Sequence, residues 1–140
     1  MSYNDLMENV KTSSMTIDQL EKKVDEIFNN LPPIDKAALR KEMYNMTLVV
    51  PENPTTFEVN EGLAKSQAYR DRLAEILSQA QQDYKVKKEL IDMLFDAMNF
   101  VSKGSSADKR KGESTLRFAG PLLKLTSAEI FYQEVEFKAN

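Results

Sequence analysis

The chain has neither cysteine nor histidine, and these two absences remove more chemistry than any motif supplies. Without cysteine there are no disulfides, thiolate nucleophiles or zinc–thiolate sites, and without histidine the commonest general base and transition-metal ligand are missing. A reaction on this chain would run on Asp, Glu, Lys, Ser or Tyr alone, and the hydroxyl and amine nucleophiles among them need an organised partner. The expectation is a protein that is not an enzyme and that uses no cofactor and no metal. Glycine is scarce at 4 residues of 140, while 41% of the chain is hydrophobic and 29% charged. That balance fits a soluble, helix-rich chain and not a disordered one. No apolar run approaches the ~20 residues of a membrane helix. The first residues, MSYNDLMENV, lack the basic region and apolar core of a secretory signal. A cytoplasmic location follows by default, that of the host cell if the chain is phage-encoded.

What is present is periodicity. Between Glu61 and Val101 the apolar residues Leu73, Leu77, Ala80, Tyr84, Ile91, Leu94, Met98 and Val101 recur at steps of three and four, with one gap bridged across Lys87. This is the seam of a long helix that packs on another helix. Ile76, Leu90 and Phe95 flank it and widen it toward a multi-helix bundle. At ~1.5 Å per residue such a helix is roughly 60 Å long, which predicts an elongated molecule or one that hides the helix in an oligomer. Ser102-Lys103-Gly104-Ser105-Ser106 then breaks the pattern and turns the chain back. Ser105 and Asp108 mark the start of the returning segment. In that segment Leu116, Leu123, Ile130 and Phe137 recur every seven residues, predicting a second seam and an antiparallel αα-hairpin over residues 61–140. Gly120-Pro121 interrupts it and predicts a kink or brief unwinding over 117–121.

The rest of the chain is shorter in reach. Residues 1–14 form a polar arm with Leu6, Met7 and Val10 as its docking candidates. Thr16-Ile17-Asp18-Gln19 matches a capping box, followed by Leu20, Val24, Ile27, Phe28 and Leu31 on one helical face. Pro32-Pro33 ends that helix, and a second short one runs from about Asp35 to Met46, the two making a small helical hairpin over 15–46. Residues 47–60, with Leu48-Val49-Val50 and Pro51 and Pro54, read as an extended connector and the one candidate domain boundary. The fold class is all-α: a long helical hairpin, its second helix kinked at Pro121, with a small N-terminal helical hairpin.

Charge is segregated. Residues 84–124 hold nine Lys or Arg (Lys85, Lys87, Lys88, Lys103, Lys109, Arg110, Lys111, Arg117, Lys124) against five acids, an excess of four. The remainder is therefore seven negative, for a net of −3. A positive hairpin tip on an acidic body holds phosphates, with Lys103, Lys109, Arg110 and Lys111 as the candidate nucleic-acid contacts. The bland alternative is that Lys109-Arg110-Lys111 solvates a hairpin end. No GK[ST] ending makes Gly104 to Gly112 a nucleotide loop. Lys85 with Glu89 and Lys88 with Asp92 are spaced for surface ion pairs.

A long helix, a basic Gly/Ser-bearing break over Ser102 to Glu113 and a returning helix in a short acidic chain resemble the phage recombination mediator proteins of the UvsY type. The likeness covers residues 61–140. It implies a small helical, ring-forming protein that binds single-stranded DNA and loads a recombinase. Two functional classes stand open. One is an oligomeric accessory protein that binds single-stranded DNA through the basic tip. The other is a structural or adaptor protein of a virion or other assembly, with Leu73, Leu77, Tyr84, Ile91, Leu94, Met98, Leu116, Leu123, Ile130 and Phe137 as packing seam. In either class a homo-oligomer is expected, with protein partners engaged through residues 1–14 or 47–60 and no membrane.

Overall fold

The computed structural model describes residues 16–101 and 117–139. Every regular element among them is an α-helix: α1 (Ile17–Asn30), α2 (Lys36–Tyr44), α3 (Thr56–Val101) and α4 (Ala119–Ala139). The fold is all-α, as the periodicity predicts. No helix among the described residues is long and apolar enough to cross a membrane.

Local chemistry sets the helix starts. At α1 the Gln19 amide donates to Thr16 Oγ1 at 3.2 Å and the Thr16 amide donates to Gln19 Oε1 at 3.0 Å. Two amides that the first turn leaves without intrahelical partners are thereby satisfied. At α2 the Ala38 amide donates to Asp35 Oδ1 at 3.0 Å. The start of α3 corrects the sequence reading, which keeps the chain extended through Val59 and begins the helix at Glu61. Thr55 and Glu58 form a second capping box, each backbone amide donating to the other's side chain at 3.2 Å, and α3 therefore begins at Thr56. This box outweighs the β-propensity of Thr56, Phe57 and Val59.

The break near Pro121 falls one turn earlier than the proline itself. Helical backbone at Arg117 gives way to a turn at Phe118 and resumes at Ala119, with the Leu122 amide donating to the Phe118 carbonyl at 2.9 Å. Pro121 thus sits in the first turn of α4, where its missing amide costs no intrahelical bond. Gly120 before it has no Cβ to crowd the proline ring.

The chain forms two compact units. The first joins the described residues of Met1–Pro32 to those of Asp83–Glu129, the second those of Pro33–Gln82 to those of Ile130–Asn140. The expected small hairpin of α1 and α2 is not a unit. The Pro32-Pro33 step divides them, and each short helix finds its apolar cover on a different stretch of α3 and α4.

In the first unit Leu20, Val24 and Phe28 of α1 are buried with Leu90, Ile91, Met93, Leu94 and Ala97 of α3 and with Phe118. Phe95 meets Phe118 edge to face, centroids 5.9 Å apart. The gap in the seam at Lys87 is filled by an ion pair. Asp83 is buried and accepts from Lys87 Nζ at 3.1 Å, and that ammonium also lies 6.0 Å above the Phe28 ring. Arg117 fastens α1 by donating to Glu21 Oε2 at 3.2 Å and to Asp18.

In the second unit a smaller set is buried: Met43 of α2, Ile76 and Ala80 of α3, Phe131 and Val135 of α4. Arginines do more of the fastening. Arg40 makes a two-pronged pair with Glu134, Nε at 2.7 Å and Nη2 at 3.1 Å, and lies 5.5 Å over the Phe131 ring. Arg72 donates to both Glu42 oxygens, at 2.5 and 3.0 Å, and to Glu75. Forked Arg–carboxylate geometry gives α2 a fixed position that one buried methionine would not.

Candidate functional site

Of the residues assigned to a nucleic-acid contact, Lys103, Lys109, Arg110 and Lys111 lie outside the described residues, as do the arm 1–14, the Ser105–Asp108 start signal and Leu116. Among the described basic residues of the same stretch, the charge is partly consumed within the first unit. Lys87 serves Asp83, Arg117 serves Asp18 and Glu21, and Lys124 lies 6.0 Å over Phe28. Lys85 and Lys88 are exposed. The expected pairs Lys85–Glu89 and Lys88–Asp92 do not form among the described residues; the ion pair in this turn of α3 is Lys87–Asp83.

The packing seam divides cleanly by helix. On α3, Ile91 and Leu94 are buried, and Leu73, Leu77, Tyr84 and Met98 are half-buried. Ile76 and Leu90, read as flanks, are buried outright, and Met93 and Ala97 join them. On α4 the heptad stripe is corrected: Leu123 is 72%, Ile130 49% and Phe137 88% exposed. The buried face instead carries Phe118, Ala128, Phe131 and Val135. Successive helical residues are about 100° apart, so Ala128 and Ile130 point about 160° away from each other. Thus α4 is apolar on two opposite faces, of which the described structure uses one. Leu123, Ile130 and Phe137 make an apolar row at heptad spacing that stays exposed.

A groove lies within the second unit. Thr47, Leu48, Val49, Val50 and Pro51 form one wall, and Glu58, Glu61, Gly62 and Lys65 of α3 form the other, around a cavity of about 250 Å³. The wall segment is anchored where Tyr69 Oη donates to the Thr47 carbonyl at 3.4 Å. Beyond that point Leu48, Val49 and Val50 are all exposed, Val49 at 91%. No backbone group of these three residues has a hydrogen-bond partner among the described residues. Glu61 pairs with Lys65 at 3.5 Å. The lining sets two carboxylates, Glu58 and Glu61, against one ammonium, Lys65.

Gly62 is the informative residue. It lies inside α3, where glycine costs about 1 kcal/mol relative to alanine. A Cβ built on it meets nothing within 4 Å, so no packing among the described residues requires glycine there. The sequence displays Gly62 as the lone glycine of a long helical pattern. The groove above it could not be read that way, because its other wall arrives from the connector.

Comparison with protein families, with curated proteins and with solved structures finds no match to this chain.

Proposed function

We propose that this protein is a nonenzymatic, oligomeric accessory protein that binds single-stranded DNA through the basic segment joining its two long helices, in the manner of recombination or replication mediators. The observation that supports the reading is charge segregation. Residues 84–124 carry an excess of four positive charges on a chain of net −3, and Lys103, Lys109, Arg110 and Lys111 fall between the end of α3 and the start of α4. Such cations act mainly as phosphate neutralisers, which fix affinity and not sequence. The test is fluorescence anisotropy of a labelled oligonucleotide across a salt series. Changing Lys109, Arg110 and Lys111 together to Glu should abolish binding at moderate salt and leave circular dichroism unchanged. Binding equal to wild type, or no binding by wild type at low salt, sinks this reading.

A second reading is favoured by the outer face of α4. The chain is then a structural or adaptor protein, of a phage virion or another assembly, whose helical hairpin is a packing surface. Leu123, Ile130 and Phe137 form its contact row. Both readings require self-association. Light scattering should give at least twice 16.0 kDa, and replacing these three residues by Ser should return the chain to a monomer. A monomeric wild type at tens of micromolar contradicts both.

A further inference from the structure

The groove of the second unit brings together three features that the readings above leave unused. Its strand-prone wall, Leu48-Val49-Val50, offers exposed apolar side chains and backbone groups without hydrogen-bond partners among the described residues. Exposed backbone of this kind is the template to which an extended peptide adds, main chain to main chain. Gly62 lines it too, and a Cβ added there would meet no described residue of another element within 4 Å. A helical glycine that the described residues do not need leaves room for another backbone to come close. Its lining carries an acidic excess, Glu58 and Glu61 against Lys65. Glu58 spends one oxygen on the Thr55 amide, and Glu61 shares its charge with Lys65.

We propose that this groove is a docking site for an extended, cationic segment of a partner protein. The segment pairs its backbone with Leu48–Val50, passes over Gly62 and sets lysine or arginine side chains against Glu58 and Glu61. Charge selects the partner's chemistry. An acidic segment would meet like charge at Glu58 and Glu61, whereas a basic one offsets the acidic excess of the lining. The 250 Å³ cavity accepts an apolar side chain alternating with those cations, as the period of two along an extended strand supplies. The site is independent of the DNA reading, since none of its residues belongs to the basic stretch 84–124.

The test uses the full chain and a fluorescein-labelled peptide of alternating valine and lysine, with a valine–glutamate peptide as control, in anisotropy at about 150 mM salt. The valine–lysine peptide should bind wild type and the control should not. Gly62→Leu, which fills the groove, should weaken binding at least about tenfold, and Glu58→Gln with Glu61→Gln should weaken it less. Gly62→Ala separates site from fold. It should raise the midpoint of thermal unfolding by about 3 °C through helix propensity while still weakening the peptide, and it carries the test if Gly62→Leu fails to fold. No binding by wild type, equal binding of both peptides, or binding unchanged by Gly62→Ala overturns the proposal. So does a fall in oligomer mass on Gly62→Leu, which would make a second copy of this chain the occupant. Neither of the last two outcomes touches oligonucleotide binding.

Discussion

The two units are built from the same three kinds of segment, a short helix and stretches of α3 and α4, yet they spend their apolar residues differently. The first buries nine residues in one cluster, the second five. Conversely, nine of the ten large apolar side chains that stay exposed among the described residues belong to the second unit, Leu123 being the exception. At ~1.5–3 kcal/mol for each fully buried large side chain, the first unit carries most of the hydrophobic stabilisation. The second substitutes forked arginine pairs, which position α2 while contributing little net stability where they are half exposed. The second unit thus keeps more apolar surface in solvent and relies more on polar contacts than the first.

The comparison breaks most readily at the first core. Leu94→Ala, at a position with no exposure, should cost about 3 kcal/mol. In hydrogen exchange the loss should spread through α1, because α1 shares that cluster. If wild-type α2 proved better protected than α1, the ranking of the two units would be reversed.

The arginine fastening is tested next. Arg40→Ala with Arg72→Ala should destabilise the protein less than Leu94→Ala does. The loss of protection should be confined to α2 and its contacts, and about 1 M salt should reproduce part of it in wild type. An equal loss in α1 would show that the pairs do more than hold α2.

A smaller effect is sharpened by pH. The hydrogen bond from Arg72 holds the Glu42 carboxyl below its ordinary range and raises the guanidinium in turn. Because the folded-state value is depressed, the contribution is fully present above the unfolded value of about 4.3 and is lost as pH falls through the folded one. Exchange in α2 should therefore accelerate on acidification below about pH 4, and Glu42→Gln should remove that step. An unaltered profile in Glu42→Gln would place the responsible group elsewhere.

The smallest change is expected at Pro121. Since the proline occupies the first turn of α4, Pro121→Ala should leave circular dichroism nearly unchanged, and any loss of stability should come from its buried ring, at about 1 kcal/mol or less. A clear gain in helicity would mean that helix propagates back through Phe118.

Much of this architecture was legible without coordinates, for a physical reason that differs by feature. The Thr16 capping box, the stop at Pro32-Pro33 and the Asp35 start are decided by neighbours within four residues, so they can be read directly from the sequence. The Thr55–Glu58 box was equally local, and the β-branched residues around it masked it. Periodicity established that α3 and α4 are helices with apolar seams, and it marked Lys87 as the interruption. Only the tertiary structure decided which seam of α4 turns inward. Leu123, Ile130 and Phe137 are as regular as Phe118, Ala128, Phe131 and Val135, and the choice depends on how the two large phenylalanines fit among side chains brought from α3 and the short helices. The same holds for the division of α1 and α2 between two units and for the groove over Gly62, each of which joins residues that are distant in the chain.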